Sequence, residues 1–590
     1  MHGNYIRELL SARELRLHQA YKDGKLHHTV MLSCVLLLIS VSISVSSCCR
    51  LAPVTECKQP PFVPGHNLLG EGFDIVRMKT TGAYVVDTQG YMIGGLHGNC
   101  TICKNVLLNR EEKLPSAVTD WRVKVNCKRS VSAQVMESSM SVLKQSTEST
   151  SVSWKVGLGL PQVAGLAVGG TQSKSSRFAR SHASQDKFFY TSHKFSCRYY
   201  TLRVKVHPPL TKEFMQSVKS LPASYNAQSR SAYLDFLSIY GTHYLRQVNL
   251  GGHVQSTTAV RTCKISTQGL SVQDVSNCLS AEASAMIKGV RVQGQTSYCK
   301  SKGKSLKHKN SFSASFSERA TEVLGGNGGS ADLLFSPDKQ HGFSKWMKTL
   351  KTVPGVVSFR LRSLHMLVNK DLVRKKALRK AIRDYVMKNA MASSCSSKCK
   401  VGHRNNACTC KCRGHQNINS NCCPSHLGVA TLSIKVKRAT GLWGDYFSKT
   451  DGYVKVIYGT RAETTPVIWN NNFPVWNYGV HFGTVNLVQR KSIRFEVWDR
   501  DNKWDDDLLG RAETIPTQGV NVGKQFGLKH GTLYVSITAT CGPNLQGKMC
   551  ERYAPSPDAE RLLTYPELLR NQRHSWTEET YGTVRNATLL

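Results

Sequence analysis

Acidic side chains are concentrated near the carboxyl end of a strongly basic chain. The chain has 590 residues and a formal net charge of +40, yet five aspartates fall within residues 499–507. Carboxylates held together on a folded surface repel one another by up to about 4 kcal/mol per pair at about 4 Å and an effective dielectric of about 20. A hard cation turns this repulsion into binding, so the run predicts a metal site.

The spacing of the aspartates favours calcium. Three of them form a D-x-D-x5-D pattern directly after residues 493–498, an apolar segment that predicts a strand, and two more lie in a turn-rich loop upstream. Calcium takes six to eight oxygen ligands in irregular geometry, which suits carboxylates from two loops. A solvated acidic turn is the alternative, and the matching spacing of two loops disfavours it. The predicted ligands are Asp445, Asp451, Asp499, Asp501 and Asp507, with Asp505 and Asp506 as auxiliary ligands.

Aromatic side chains flank both acidic loops. Trp443, Tyr446 and Phe447 lie in the first loop and Trp504 lies in the second. Amphipathic rings favour the interface between membrane and water. We predict that these four side chains contact a membrane, with Trp504 and Tyr446 dipping into the lipid; burial in a protein core is the alternative for each of them.

Residues 427–541 resemble the C2 domain, a calcium-dependent phospholipid-binding module. Besides the two acidic loops, the segments NNNFPVWN at 470–477 and DDDLLG at 505–510 carry the resemblance. It implies an eight-stranded antiparallel sandwich that holds calcium between loops at one end and binds a phospholipid membrane.

Length and composition predict several domains and a secretory route. A chain of this length exceeds one hydrophobic core and predicts three to five units. Residues 29–49 contain no charged side chain and follow Lys25, which predicts a secretory signal within residues 1–48. A type II membrane anchor and a true start at Met31 are the alternatives.

The basic excess is compatible with nucleic acid, anionic membrane or acidic glycan as a partner. No nucleic-acid module appears in the sequence, so we expect no nucleic acid. The basic run at 372–384 spaces its apolar residues as one stripe of a helix with charges on the other face.

The large region at 49–390 contains alternating segments that predict strands. Apolar residues alternate with small or polar ones from Val152 to Leu160 and from Phe312 to Phe316, and more weakly at 290–295. This pattern is typical of a half-buried strand and also of a transmembrane β-strand with a polar lumen face. The segments fall in two regions, 130–197 and 264–325, and a lysine run at 300–309 lies in the second.

A compact motif lies between these two regions. Tyr233 is followed after six residues by Tyr240-Gly241-Thr242-His243-Tyr244. The motif resembles the signature of the membrane attack complex/perforin (MACPF) family. The resemblance implies a bent antiparallel sheet with two helical clusters, each of which unwinds into a membrane-spanning hairpin during assembly, and the two alternating regions fall where those clusters belong.

The same resemblance assigns roles to further residues. It implies hinge glycines and a pair of opposite charges between neighbouring subunits of a ring or arc. His243 fits a packed structural histidine rather than a general base, because no catalytic constellation surrounds it and no HExxH, GxSxG or phosphate-binding loop occurs. We therefore expect no enzymatic activity. The implied hinge glycines are Gly251, Gly252, Gly325 and Gly326, and the implied interface pair is Asp235 with Arg362.

Twenty cysteines in a secreted chain predict disulfides. Seven of them lie at 395–423; a zinc site is the alternative there, and the segment resembles an EGF-like module. The resemblances imply the pairs Cys49–Cys103, Cys57–Cys100, Cys127–Cys197, Cys263–Cys423, Cys278–Cys299, Cys395–Cys408, Cys399–Cys410, Cys412–Cys422 and Cys541–Cys550. Asn99 and Asn586 are predicted glycosylation sites.

The sequence thus predicts an α+β multidomain protein. The predicted units are a leader (1–48), a MACPF domain (49–390), an EGF-like module (391–426), an all-β C2 sandwich (427–541) and a C-terminal tail (542–590), in which residues 551–590 are expected to be loosely ordered. The predicted function is that of a calcium-dependent pore-forming cytolysin, secreted through cytolytic granules, that binds phospholipid membrane and forms homo-oligomers. It is expected to insert a transmembrane β-barrel into the target-cell membrane, to lyse the cell or to deliver effector proteins. A non-lytic adhesion or signalling protein is the alternative, and the lack of a catalytic constellation disfavours a calcium-regulated lipid enzyme.

Overall fold

The computed structural model describes most of residues 49–575. The residues within this range that it does not describe are 96–97, 129, 149–151, 162–164, 289–296, 304–311, 328–331, 336–339, 396–398, 400, 406–407, 415, 502–504 and 558–559. The predicted leader, Trp504 and Asn586 lie outside the described residues, as do residues 290–295 of the alternating segments.

The described elements up to residue 395 are mostly short strands around two long ones, β9 and β10, with helical insertions. The strands are β1 (Cys49–Pro53), β2 (Glu71–Asp74), β3 (Lys79–Tyr84), β4 (Asn99–Asn105), β5 (Arg110–Leu114), β6 (Val118–Cys127), β7 (Ser132–Met136), β8 (Leu166–Ala167), β9 (Phe188–Val204), β10 (His243–Arg261), β11 (Arg319–Leu324), β12 (Gly355–Ser363) and β13 (Met391–Cys395). The helices are α1 (Val54–Cys57), α2 (Ser139–Glu148), α3 (Lys174–Ala183), α4 (Lys212–Ser220), α5 (Arg230–Tyr240), α6 (Thr262–Thr267), α7 (Val272–Lys288), α8 (Ser297–Gly303), α9 (Gln340–Thr349) and α10 (Leu372–Lys388). Short 3-10 helices span His66–Leu68, Val152–Lys155, Ser313–Ser315 and Leu364–Leu367.

The elements after residue 395 are almost all strands. They are β14 (His403–Arg404), β15 (Cys410–Lys411), β16 (Val429–Thr440), β17 (Gly452–Tyr458), β18 (Arg461–Thr464), β19 (Val475–Asn486), a 3-10 helix (Leu487–Gln489), β20 (Ile493–Asp499), β21 (Asp507–Thr514), β22 (Gly519–Gly527), β23 (Thr532–Cys541), β24 (Leu545–Gln546), β25 (Arg552–Tyr553), β26 (Glu560–Thr564) and α11 (Tyr565–Ser575).

The described chain forms two compact units. The smaller one contains residues 49–63 and 91–116, and the larger one contains 64–90 and 117–575. In the smaller unit, β1, β4 and β5 form an antiparallel sheet that two disulfides, Cys49–Cys103 and Cys57–Cys100, cross-link. Asn99, a predicted glycosylation site, is exposed at the start of β4.

The central sheet of the larger unit is built on β9 and β10, which pair antiparallel over most of their length. The outer positions are each shared by two shorter strands: β6 and β7 pair with β9, while β12 and β11 pair with β10. The pairing of β9 with β10 shifts register between Leu250 and Gly251, close to where β12 gives way to β11. These six strands fill four antiparallel positions of the sheet, and the pairing is irregular at the predicted glycines. β2 also pairs with the start of β10, and β3 pairs with β2.

Helical insertions connect the paired strands at two places in this sheet. We call α2, Val152–Lys155, β8 and α3 the first cluster, which lies between β7 and β9 in sequence. The second cluster, α6, α7, α8 and Ser313–Ser315, lies between β10 and β11. Two helical clusters at these positions are what the MACPF resemblance implied.

The prediction of strands at Val152–Leu160 and Phe312–Phe316 is wrong for this structure. Both segments contain 3-10 turns, and the expected single apolar face is absent, since Trp154 and Leu158 are buried while Val156 is exposed. The physical reason is tertiary: the Trp154 ring packs edge-on against the buried His243, and its carbonyl contacts the His243 Nε2 at 2.9 Å.

A buried carboxylate holds the second cluster together. Glu282 of α7 accepts hydrogen bonds from the backbone N–H of Ser313 at 2.9 Å and from its hydroxyl at 2.6 Å. Burial raises the pKa of Glu282 above its usual value, and the nearby Arg319 opposes that rise. The disulfide Cys278–Cys299 also ties α7 to α8.

The region after residue 395 begins with a cysteine-rich segment and continues with a β-sandwich. The segment carries three internal disulfides, and Cys423 is joined to Cys263 of α6. Its assignment as an EGF-like module and the domain boundaries stay predictions. The sandwich consists of the sheets β19-β16-β23-β22 and β18-β17-β20-β21, whose inward side chains form one apolar core.

The prediction of loose order is wrong for the described part of residues 551–575. This stretch contains β25, β26 and α11, and β26 pairs antiparallel with β13. Polar composition suggested disorder, but pairing with a distant strand satisfies the backbone groups of β26. The nine disulfides among the described residues join the same cysteines that the resemblances implied. None of the described helices has both the length and the hydrophobicity of a transmembrane helix.

Candidate calcium and membrane site

Three loops meet at one end of the β-sandwich. Loop A (441–451) joins β16 to β17, loop B (465–474) joins β18 to β19, and loop C (500–506) joins β20 to β21. Because β17 and β20 are hydrogen-bonded neighbours, with Gly452 opposite Asp499, the acidic ends of loops A and C are brought together. The sheet register therefore converts two distant sequence motifs into one site.

Three of the five predicted calcium ligands converge. Carboxylate oxygens of Asp445, Asp501 and Asp507 all lie within 4.8 Å of one another. The donors are all oxygen and all anionic, and they come from loop A, from loop C and from the first residue of β21. This donor set fits a hard divalent cation, and calcium in particular.

The electrostatics of the site favour a bound cation. Partial burial and the neighbouring carboxylates of Asp445, Asp499 and Asp507 raise the pKa of Asp501 to about 6. Burial is also the main cause of a raised pKa at Asp499, where the backbone N–H of Asp451 acts in the opposite direction. Without a cation, each of these carboxylates is held near other negative charges at a cost in free energy.

The other two predicted ligands connect the loops. The buried carboxylate of Asp499 accepts a hydrogen bond from the Asp451 backbone N–H at 2.6 Å, and the Asp451 carboxylate accepts one from the Asn470 N–H in loop B at 2.6 Å. Gly444 makes this approach possible, since a Cβ at that position would lie 1.8 Å from Asp499 Oδ2. Sequence reasoning missed Gly444 because its role depends on a contact between two loops.

The auxiliary aspartates differ in their surroundings. The Tyr453 hydroxyl donates to the Asp506 carboxylate, and burial together with this bond raises the pKa of Tyr453. Asp505 is exposed and lies outside the group of three converging carboxylates.

The predicted membrane-contact residues of loop A project from the same end. Tyr446 is 86% exposed, Phe447 is fully exposed, and Trp443 is about half exposed with its ring 5.3 Å from that of Tyr446. The Trp443 ring is also 5.3 Å from the ring of His530. Exposed aromatic rings are unfavourable in water. Their position beside the carboxylates is therefore typical of a surface that contacts a membrane or another protein.

Loop B adds two aromatic residues that sequence reasoning missed. Trp469 and Phe473 are each 63% exposed, and they flank Asn470, whose N–H binds Asp451. Loop B is tied to loop A by a second bond, from the Thr450 N–H to the Asn472 side chain at 2.9 Å. The signal was available, because both rings lie in or next to the segment NNNFPVWN, but only the loop contacts place them beside the calcium site.

Comparison with known proteins agrees with both domains. The sequence matches the MAC/Perforin domain over residues 60–395 and the C2 domain over residues 430–526. The chain belongs to the MAC/perforin family. Perforin-1 of Rattus norvegicus is 37% identical over 86% of this chain and 93% of its own length, and Perforin-1 of Homo sapiens is 36% identical over 86% and 93%. Complement component C8 alpha chain of Oryctolagus cuniculus is 24% identical over 34% of this chain and 36% of its own length.

Membership of the MAC/perforin family makes the chain a pore-forming protein of the perforin type and not an enzyme. The MAC/Perforin and C2 domains together indicate lipid binding and oligomerisation, and the C2 domain indicates calcium binding. The α+β fold class is confirmed by the same matches.

The MAC/perforin signature forms the turn between helix α5 and strand β10 in this chain. Tyr233 and Tyr240 are buried on α5, and the Tyr233 hydroxyl donates to the Pro222 carbonyl at 2.7 Å. Gly241 has a φ of 74°, and a Cβ there would meet the Phe73 carbonyl at 2.6 Å, so the turn from α5 into β10 requires glycine.

Thr242 lies directly before strand β10, and His243 and Tyr244 begin the strand. The buried His243 contacts the Thr242 hydroxyl at 2.8 Å through Nδ1, and burial lowers its pKa to about 4. A neutral imidazole ring with hydrogen-bond contacts at both nitrogens fits a packing role rather than general-base chemistry. Tyr244 is buried beside it.

The predicted hinge glycines fall into two pairs. Gly325 and Gly326 follow β11 with φ of 77° and 74°, which favours glycine. Gly251 and Gly252 lie inside β10 without positive φ; a Cβ would meet the Cys197 carbonyl oxygen at 2.0 Å and the Leu350 side chain at 2.4 Å. Close packing, rather than a turn, requires glycine at the second pair.

The predicted interface residues have different surroundings within one subunit. Asp235 is exposed on α5. Arg362 is half-buried on β12 and donates to the Val206 carbonyl at 3.4 Å. Their pairing between subunits stays a prediction.

Proposed function

We propose that this protein is a secreted cytolysin whose attack on a membrane is triggered by calcium. The single observation that carries the proposal is the position of the two helical clusters. Met136 of β7 pairs with Tyr190 of β9, and Thr258 of β10 pairs with Arg319 of β11, so each cluster is inserted between two adjacent antiparallel strands. If either cluster extends, it continues an existing hairpin.

The lengths of the insertions fit a membrane-spanning hairpin. Residues 137–187 and 259–318 give hairpin arms of roughly 25 and roughly 30 residues, or about 80 Å and about 100 Å at about 3.3 Å per residue. The hydrocarbon core of a bilayer is about 30 Å thick. The alternation at Val152–Leu160 and Phe312–Phe316, which the present helical fold does not use, supplies the two faces that such strands need.

Calcium acts in this proposal as the docking signal. Binding at Asp445, Asp501 and Asp507, with Asp451 and Asp499 as supporting ligands, neutralises the loop end of the C2 domain. The aromatic residues of loops A and B then enter the interface. Side-by-side association follows, because a hairpin edge inside lipid leaves backbone groups unpaired at several kcal/mol each until the barrel closes.

The decisive experiment is release of an encapsulated dye from phosphatidylserine-containing liposomes by the mature protein, with calcium and with a chelator. We expect calcium-dependent leakage without lipid hydrolysis. Binding without leakage would support the non-lytic adhesion protein instead, and leakage that is unaffected by the chelator would refute the calcium trigger.

Three finer parts of the proposal rest on the likeness to Perforin-1 alone. They are storage in cytolytic granules, co-delivery of effector proteins, and a glycan at Asn586 that prevents early assembly. Expression of an Asn586→Gln variant tests the last one, since unchanged toxicity to the producing cell would remove it.

A further inference from the structure

The C-terminal region of this chain is bound to the cluster that the proposed function requires to move. We propose that residues 552–557 and 560–564, here called the clasp, hold the first cluster folded and that their detachment limits the rate of hairpin formation. This inference rests on the proposed function and adds a restraint to it. It follows from contacts at both ends of the clasp.

The first contact caps a helix of the cluster. Ser139, the first residue of α2, donates to the Glu560 carboxylate from its backbone N–H at 3.2 Å and from its hydroxyl at 2.7 Å. A carboxylate at a helix N-terminus is stabilised by the free N–H groups and by the helix dipole. Glu560 therefore stabilises α2 only while α2 is helical.

The second contact covers the apolar side of the cluster. β26 pairs with β13, which pairs in turn with β8 of the cluster, so the three strands form one small sheet. Leu562 packs against the buried side chains of Met140, Leu143, Ala167 and Met391. Unwinding of α2 exposes this apolar group, which adds to the restraint.

The other end of the clasp is anchored beside the root of the cluster. Asp186, fully buried between α3 and β9, accepts a bond from the Tyr553 hydroxyl at 2.7 Å and from the Ser556 N–H at 3.0 Å. Arg261, at the end of β10, contacts the same carboxylate at 3.3 Å. The anchor thus lies where the first cluster rejoins β9, so extension of β9 into a hairpin arm disturbs it.

The structure allows a sharp test by conservative substitutions. Glu560→Gln removes the charge from the cap, and Tyr553→Phe removes only the hydroxyl that binds Asp186. Glu513→Gln is the matched control, because it makes the same change of charge on β21 of the β-sandwich, where Glu513 accepts its bond from the Ser492 hydroxyl. Each full-length protein is measured by hydrogen exchange in solution without calcium, and by the lag before dye release from phosphatidylserine-containing liposomes.

We expect about five-fold faster exchange of the α2 amides in Glu560→Gln, as for loss of a helix cap, with a shorter lag before leakage. Tyr553→Phe should shift both in the same direction, and Glu513→Gln should shift neither. Unchanged exchange in both clasp variants, or faster exchange with an unchanged lag, overturns the clasp. Wild-type protein that binds liposomes without leakage instead overturns the proposed function, and the exchange data then decide alone whether the clasp holds α2.

Discussion

Replacement of one calcium ligand at constant shape offers a quantitative test of the site. In Asp501→Asn the side chain keeps a carbonyl oxygen but loses its charge. At a calcium–oxygen distance of about 2.4 Å and a dielectric of about 80, one carboxylate attracts the ion by about 3.5 kcal/mol. The repulsion of Asp501 by Asp445 and Asp507 is present both with and without calcium, so it cancels from the change in affinity. The loss of about 3.5 kcal/mol corresponds to about 350-fold weaker calcium binding.

The assay is calcium-dependent binding to phosphatidylserine-containing liposomes, measured by co-sedimentation over a calcium titration. We expect the half-maximal calcium concentration to rise about 350-fold in Asp501→Asn, with full binding restored at saturating calcium. Asp505→Asn is the matched control, since it makes the same change of charge in the same loop outside the converging group. An equal shift in both variants would show that net charge, and not ligation, sets the response; no shift in either would refute the site.

Three further predictions test other parts of the molecule. The double variant Trp469→Ala/Phe473→Ala should weaken liposome binding at saturating calcium at least tenfold in co-sedimentation, because both exposed rings lie beside the calcium loops; unchanged binding would exclude loop B. The pKa of His243 falls from about 6.5 unfolded to about 4 folded, so its stabilising effect is complete above about pH 6.5 and is lost as the pH falls towards 4. His243→Gln should therefore reduce the loss in free energy of unfolding between pH 7 and 5 by about 2 kcal/mol in denaturant titrations, and an identical pH slope would contradict a neutral buried ring. Asp235→Arg should reduce ring assembly seen by electron microscopy and added Arg362→Asp should restore it, whereas a double variant without recovery would exclude this pairing.

Local patterns correctly predicted the elements that pack one apolar face against one hydrophobic core. The strand at 493–498 and the helix at 372–384 were predicted correctly, and they appear as β20 and α10. Each has a periodic apolar face against one core, so period and composition suffice. The tail was predicted wrongly because β26 is ordered by pairing with β13, more than 150 residues away in sequence.

The prediction of strands for the alternating segments was also wrong, because tertiary contacts override their local pattern. Their sequence carries the two-residue period of a strand, but the present fold buries Trp154 against His243 and makes a 3-10 turn instead. Local pattern reports which structures a segment is able to form, whereas tertiary contacts select one of them. The proposed function uses both, since it needs a segment that is helical before insertion and extended afterwards.

The sequence by itself determined the chemistry of this protein: the count and spacing of the aspartates, the pore-domain signature and the cysteines. These depend on residue type along the chain, which is written directly in the sequence. Only the tertiary structure decided which carboxylates converge, that loop B contacts the candidate calcium site, and that the C-terminal strand covers the first cluster. These features depend on strand register and on contacts between residues far apart in sequence, which set distances that no local pattern contains.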